Sequence, residues 1–210
     1  MSSYKINKVN KNLSKNEITL RLLDSIAKKK SITQKNVAQD LGIAVGLVNA
    51  YIKRALNKGW LKVKNIPAHR YAYYLTPSGF SKKTQLVSQY LFSSFRLFRD
   101  SKSEYQRIFS ICKKKKYDKI ILVGNSDLTE IANLVNMSFK LSICGILDNE
   151  KKKSDLSYKS YNLNNYPKDV DAFIITEIIN PTFYYSALKK KKSINKILFP
   201  NFLQISKKKV

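Results

Sequence analysis

The sequence has few of the residues from which metal centres and nucleophilic active sites are built. Its 210 residues include 2 cysteines, Cys112 and Cys144, and 1 histidine, His69. The two cysteines do not form a Cys-x-x-Cys pair, which argues against a structural zinc site. So low a cysteine count fits a reducing compartment. A single histidine excludes a metal cluster built on histidines. We therefore predict no bound metal and no resident cofactor.

Long apolar runs are also missing. No window is long and apolar enough to cross a bilayer, and the N-terminal residues lack the apolar segment of a secretory signal. The sequence therefore predicts a cytoplasmic protein without a membrane partner.

Acidic residues are scarce: 14 Asp and Glu stand against 40 Lys and Arg, which gives a formal net charge of +26. Such a balance favours a polyanionic partner such as nucleic acid. Lysine clusters occur in both halves, at 113–116 and 189–192, and an AT-rich genome would produce the same usage. The charge therefore indicates a class of partner and does not locate a site.

The first part of the chain has the pattern of three helices. Ser14 and Glu17 form a capping-box pair, and Thr33 is a good N-cap for a short second helix. Gly42 permits the tight turn that ends this helix, and a third helix is predicted from about 44 to 58. Its inward face is expected to carry Val45, Val48, Ile52 and Leu56. A short helix, a glycine turn and a longer helix predict a helix-turn-helix.

Two predicted strands, "WLKVKNI" and "RYAYYLT", follow directly and enclose a tip at residues 67–69. Thr76 then caps another helix, and Pro77 takes its first turn, where no N–H is needed. A hairpin immediately after a helix-turn-helix predicts a winged helix.

The run "GLVNAYIKRALNKGWLKVKN" followed by "YAYYLTPSGF" resembles the winged-helix module of MarR-type transcriptional regulators, most closely the branch associated with exopolysaccharide gene clusters. The residues that fit are Gly46, Val48, Asn49, Lys58, Gly59, Trp60, Tyr73, Tyr74, Leu75, Thr76, Pro77 and Gly79. The resemblance covers about residues 15–110. It implies a regulator of transcription that binds double-stranded DNA and controls polysaccharide biosynthesis genes.

The outward face of the third helix is expected to enter the major groove. Asn49 suits adenine, and Lys53 or Arg54 suits guanine or phosphate. The predicted DNA-contacting residues are Gln34, Lys35, Gly46, Asn49, Ala50, Lys53, Arg54, His69 and Arg70.

A long helix is predicted from Ser78 to about Lys113, roughly 50 Å if unbroken. Residues 99–103 are a candidate break in it. A recurring apolar seam favours dimerisation, since a twofold protein suits two operator half-sites.

Apolar strands alternate with helices in the second half, which predicts a parallel sheet. The turn after Val123 resembles that of Rossmann-like modules in the order strand, glycine, helix, strand, aspartate. Of the G-x-G-x-x-G fingerprint only Gly124 is present, because Ser126 and Thr129 replace the other glycines. The predicted ligand-binding residues are Gly124, Asn125, Ser126, Asp127 and Asp148. The alternative is a sheet domain that binds no ligand and serves in assembly.

The sequence therefore predicts an α+β winged helix-turn-helix domain (1–80), a long helical dimerisation or linker region (81–116) and a small Rossmann-like α/β domain with a parallel sheet (117–210). The leading hypothesis is a homodimeric, sequence-specific DNA-binding transcriptional regulator whose C-terminal domain senses a small-molecule effector, a nucleotide or sugar-nucleotide. The alternatives are an NADH-sensing repressor of the Rex type, a small sugar-nucleotide enzyme with a DNA-binding appendage, and an architectural DNA binder. No acid near the predicted cleft has a companion base or nucleophile, so we do not predict an enzyme.

Overall fold

The computed structural model describes residues 14–28, 33–66, 70–149, 157–191 and 196–205. The chain divides into two compact units, Met1–Ser94 (unit 1) and Phe95–Val210 (unit 2). The predicted division at residues 80 and 116 stays a prediction.

Unit 1 is a helix-turn-helix followed by a β-hairpin. Its first elements are α1 (Lys15–Lys28), α2 (Gln34–Leu41), α3 (Val45–Asn57), β1 (Leu61–Ile66) and β2 (Arg70–Leu75), and the two strands pair antiparallel. Thr33 caps α2 by accepting a hydrogen bond from the Asn36 N–H at 3.2 Å. Gly42 ends α2 in the left-handed conformation, with φ at 65°. The predicted winged helix-turn-helix is confirmed.

The core of unit 1 takes one face from each helix and the inner side of the hairpin. Its buried members are Leu22, Leu23, Ile26, Val37, Ala38, Leu41, Val48, Ile52, Ala55, Leu61, Tyr73 and Leu86. The prediction that Val45 faces this core is wrong, because Val45 is 45% exposed. Val45 is the first residue of α3, and the buried stripe of that helix starts one turn later, at Val48.

Thr76 and Gly79 fix the joint between the hairpin and α4 (Pro77–Lys114). The Thr76 hydroxyl donates to the Gly59 carbonyl at 2.6 Å and accepts from the Gly79 N–H at 3.0 Å. The Thr76 N–H donates to the Trp60 carbonyl at 3.1 Å. A Cβ on Gly79 would lie 2.0 Å from the Trp60 oxygen, so glycine is required there. The Thr-Pro-Ser-Gly stretch is therefore a packed joint as well as a helix start.

α4 runs unbroken for 38 residues. The expected break at residues 99–103 is absent: this stretch contains neither glycine nor proline, and its Ser101 is buried at 0% exposure. Farther along, the Tyr105 hydroxyl donates to the Ile175 carbonyl at 3.1 Å, and burial raises the pKa of Tyr105, which keeps this donor protonated. Burial also raises the pKa of Cys112 to about 11, so its thiol stays neutral. Within the described ranges, neither α4 nor any other helix has the apolar length needed to cross a membrane.

Unit 2 is a parallel sheet with helices on both faces. Its strands are β3 (Lys119–Val123), β4 (Ser142–Leu147), β5 (Ser160–Tyr161), β6 (Ala172–Ile175) and β7 (Ile197–Leu198), and its further helices are α5 (Asp127–Phe139) and α6 (Pro181–Lys189). The order is β5-β4-β3-β6-β7, and all neighbouring strands are parallel. One face packs against α5 and the last turns of α4, and the other packs against α6. The predicted parallel α/β sheet is confirmed, whereas the short β5 was not predicted.

We expect Thr76→Val to lower the free energy of unfolding of unit 1 by about 1–3 kcal/mol, because the Gly59 carbonyl and the Gly79 N–H lose their shared partner. Thr76→Ser keeps the hydroxyl and should retain most of the stability. Urea unfolding followed by fluorescence reports unit 1 selectively, since Trp60 is the 1 tryptophan of the chain. Equal unfolding midpoints for the two variants would contradict this role of the hydroxyl.

Candidate nucleic-acid interface

The face of α3 that turns away from the core is open to solvent. Val48, Ile52 and Ala55 are each 1% exposed and hold the opposite face inside unit 1. Of the predicted DNA-contacting residues on α3, the exposed ones are Gly46, Ala50, Lys53 and Arg54, and Asn49 is half-buried. The helix therefore presents a continuous outer surface that a DNA groove could receive.

The start of α2 lies next to the hairpin. The Gln34 amide donates to the Tyr73 hydroxyl at 3.3 Å, which ties α2 to β2. Gln34 is consequently half-buried, and the neighbouring Lys35 is exposed. Of this predicted pair, Lys35 is therefore better placed to reach a phosphate.

The hairpin adds cations that sequence reasoning did not assign to the interface. Lys62 and Lys64 on β1 are exposed. In the sequence, Lys62 and Lys64 alternate with Leu61 and Val63, and this alternation is the signal that could have assigned them. His69 and the side chain of Arg70, which we also predict to contact DNA, lie outside the described residues.

The exposed charges on the surface around α3 are mostly positive. Its exposed described cations are Lys35, Lys53, Arg54, Lys58, Lys62 and Lys64. In the described ranges, none of them forms an ion pair with a carboxylate. Asp40 is the single acidic residue between Thr33 and Thr76, and the Ser25 hydroxyl donates to it at 3.5 Å. Cations that no acid neutralises attract the phosphates of a duplex.

Two apolar side chains at the start of α3 were also missed. Val45 is 45% exposed and Leu47 is 42% exposed. Both flank the outward stripe that Gly46 and Ala50 occupy. A helical-wheel count of Leu47 alone would have placed it outside the core face.

The turn between β3 and α5, residues 124–126, lies where the strand order of unit 2 reverses, and open α/β sheets bind ligands at such points. Gly124 has a φ of 101°. A Cβ on Gly124 would lie 2.5 Å from the Cβ of Glu177, which follows β6. Glu177 therefore occupies the space beside Gly124. In a dinucleotide site, a phosphate would approach the glycine at this position.

Several N–H groups of this turn and of the start of α5 are engaged within the chain. The Ser126 N–H donates to the Thr129 hydroxyl at 3.1 Å, and the Leu128 N–H donates to the Ser126 hydroxyl at 3.2 Å. The Thr129 N–H donates to the Ser126 carbonyl at 2.8 Å. Because a bound pyrophosphate uses several free N–H groups at a helix start, the turn does not fit the phosphates of a dinucleotide.

Carboxylates border the same edge of the sheet. Asp148 is 3% exposed and accepts a hydrogen bond from the Tyr184 hydroxyl at 3.5 Å. Glu177 is 6% exposed and accepts from the Ile179 N–H at 2.8 Å. Negative groups here repel an anionic ligand. The described residues contain no cluster of three or more side chains suited to hold a metal ion.

A pocket of about 470 Å³ in unit 2 opens against α5. It is lined by Phe98, Asp127, Glu130, Ile131, Asn133, Leu134 and Met137. Asp127 is the one predicted ligand residue in this lining. Gly124, Asn125, Ser126 and Asp148 are not brought to it.

We expect Gly124→Ala to destabilise unit 2 by on the order of 1–3 kcal/mol, since the added Cβ meets Glu177 and the backbone is left-handed. Gly46→Ala is the matched control, because nothing lies within 4 Å of a Cβ at that position. It should leave stability unchanged or raise it slightly. Thermal unfolding by circular dichroism measures both variants, and a Gly124→Ala protein as stable as the parent would contradict the packed turn.

A family model described as winged helix-turn-helix DNA-binding matches residues 15–62, from the start of α1 into β1. No curated protein matches the chain. The matched residues include the helix-turn-helix that α2 and α3 form.

Several solved structures are similar over part of the chain. MepR, a transcription regulator of the Staphylococcus aureus multidrug efflux pump MepA, is 17% identical with a TM-score of 0.35, over 38% of this chain and 61% of that one. The oxidised form of MarR from E. coli is 26% identical with a TM-score of 0.31, over 36% of this chain and 57% of that one. A MarR/EmrR family transcriptional regulator from Acinetobacter sp. ADP1 is 17% identical with a TM-score of 0.34, over 47% of this chain and 71% of that one. The chain thus spans less than two thirds of the length of MepR and MarR, and residues 15–62 match a winged helix-turn-helix DNA-binding family.

Proposed function

We propose that the protein is a sequence-specific DNA-binding transcriptional regulator. The observation that carries the proposal is the outer face of α3, which is solvent-exposed and backed by a buried inner face, and whose bordering cations form no ion pair with a described carboxylate. In the major groove, Asn49 would pair with adenine, and Lys53 and Arg54 would contact guanine or phosphate. Such a regulator acts on DNA in the cytoplasm.

The remaining predicted contacts are part of the same proposal. Lys35 and the Gln34 segment at the start of α2 would contact the phosphate backbone. Gly46 and Ala50, which have little or no side chain, let α3 approach the base edges closely. His69 and Arg70 of the hairpin would reach the minor groove or the backbone.

A second copy of the chain is part of the proposal. In unit 1, Tyr90, Leu91 and Phe92 on α4 are 60%, 46% and 74% exposed. A groove of about 560 Å³ between α1 and α4 continues this surface through Leu20 and Leu86. Burying so much apolar surface favours self-association, and a twofold dimer matches two operator half-sites.

Unit 2 is proposed to sense a small molecule. Its 470 Å³ pocket against α5 has the size of a ligand site and combines apolar walls with Asp127 and Glu130. The turn at Gly124 does not offer a phosphate cradle, which argues against the NADH-sensing alternative. A nucleotide or sugar-nucleotide effector would have to bind through its base or sugar, with its phosphates directed away from these acids. Control of polysaccharide genes follows from the sequence resemblance alone.

Lys53→Ala and Arg54→Ala should each weaken binding to a preferred duplex and flatten its salt dependence. Loss of one phosphate contact lowers the slope of log K against log salt by about 0.9. Fluorescence anisotropy with a duplex selected from a random pool measures both quantities. Lys168→Ala is the charge-matched control, an exposed lysine of unit 2.

Identical slopes for the two α3 variants and the control would contradict the placement of α3 on the duplex. A parent protein that binds all duplexes equally would instead favour the architectural alternative.

Replacing Leu91 and Phe92 together by glutamate should shift the protein from dimer to monomer, because two charges would enter the apolar contact. Sedimentation velocity measures the mass. Ile178→Glu, at a residue of unit 2 that is 47% exposed, controls for added charge. A monomeric parent protein at micromolar concentration would contradict this interface.

A further inference from the structure

The first two turns of α3 have an outer surface that is mostly apolar. Val45 and Leu47 are 45% and 42% exposed, and Gly46 and Ala50 are exposed between them. Asn49 interrupts this apolar surface with an amide, and the cations Lys53 and Arg54 follow a turn later. We call the four residues Val45, Gly46, Leu47 and Ala50 the apolar patch.

Packing within unit 1 does not explain the apolar patch. A Cβ on Gly46 would have no atom of the described residues within 4 Å, so no described neighbour requires a glycine there. Glycine is also a weak helix former and costs helix stability relative to alanine. Val45 and Leu47, both in the first turn of α3, leave 45% and 42% of their surfaces exposed and therefore gain only part of the burial that the chain could give them. The patch is therefore better explained by a partner that the outer face of α3 meets.

The charges around the apolar patch point to DNA as that partner. Lys35, Lys53 and Arg54 are exposed, and among the described residues none of them is paired with a carboxylate. A neutral or basic protein partner would bring its surface against these uncompensated cations. A duplex supplies phosphates for the cations and base edges for the patch.

The four bases differ in how well their major-groove edges accommodate an apolar side chain. Guanine, cytosine and adenine present hydrogen-bonding groups there, whereas thymine also presents its 5-methyl group. An apolar side chain against a guanine or cytosine edge leaves those groups without partners. Against thymine it buries a methyl group, and the transfer of one methyl from water is worth about fourfold in affinity.

We propose that α3 selects A·T base pairs through thymine methyl groups that contact the apolar patch. Val45, Leu47 and Ala50 supply the apolar contacts, Gly46 allows the close approach, and Asn49 pairs with an adenine of the same half-site. The inference rests on the proposed function, in which α3 enters the major groove. It adds the class of sequence that the helix reads and the group on the base that it recognises.

The test compares thymine with deoxyuridine, which lacks only the 5-methyl group. Full-length protein is first used to select binding sites from a random duplex pool, and the selected half-site should be rich in A·T pairs. Each selected thymine is then replaced by deoxyuridine, and affinity is measured by fluorescence anisotropy. We expect a loss of about twofold to fourfold at each contacted methyl and no change at flanking thymines.

Variants of the patch assign the effect to its residues. Val45→Ala and Leu47→Ala change exposed side chains, and circular dichroism checks that the fold is kept. In these variants the same deoxyuridine substitutions should cost less than in the parent protein. Ile178→Ala, at an exposed apolar residue of unit 2, should keep the full effect.

The outcomes separate the inference from the proposed function. Specific binding to a selected site that deoxyuridine leaves unchanged would overturn the inference and leave the regulator standing. A selected half-site rich in G·C pairs would do the same. A protein that binds no duplex would overturn both.

Discussion

The one-sided burial of α3 is the constraint on which the proposed function depends. Val48, Ile52 and Ala55 are held in the core of unit 1, so the helix cannot roll without exposing them. The other side of the helix is thereby fixed as an outer surface. The joint at Thr76 and Gly79 makes the same unit rigid at its far end, because it locks the hairpin to the start of α4. A helix held in this way presents Asn49, Lys53 and Arg54 in a fixed geometry, which recognition of a duplex needs.

Gly46 in unit 1 and Gly124 in unit 2 have different structural surroundings. Around Gly46 the described residues leave open space for a Cβ, and in the proposed complex its lack of a side chain lets the duplex approach α3 closely. Gly124 lies against Glu177, and its lack of a side chain serves packing within the chain. In the sequence, Gly46 and Gly124 both indicated a place where a ligand or DNA approaches the backbone closely. In the structure, the described surroundings leave room for a partner at Gly46 and not at Gly124. Although the protein as a whole is basic, carboxylates border the turn at Gly124, and several N–H groups there are hydrogen-bonded within the chain. The turn is therefore a poor site for phosphates.

Local patterns predicted unit 1 well because its determinants are close together in sequence. The N-cap Thr33, the turn at Gly42 and the apolar period of α2 are all visible within a few residues. The orientation of Val45 was predicted wrongly because periodicity does not say at which turn a helix meets the core. The continuity of α4 through residues 99–103 was missed because polar residues in a row resemble a break, although the stretch contains no glycine or proline to interrupt the helix. In unit 2 the strands were visible as apolar runs, but the contact between Gly124 and Glu177 joins residues that sequence patterns do not relate.

Labelling of a cysteine on the outer face of α3 tests the central claim most directly. The variant Ala50→Cys is made with Cys144→Ser, since Cys144 is partly exposed and Cys112 is buried. Its rate of reaction with a maleimide is measured with and without a duplex that anisotropy shows to be bound. If α3 lies in the groove, the bound duplex should slow labelling at position 50 strongly. An unchanged rate with the duplex bound would contradict the account, because DNA would then contact another surface of the protein.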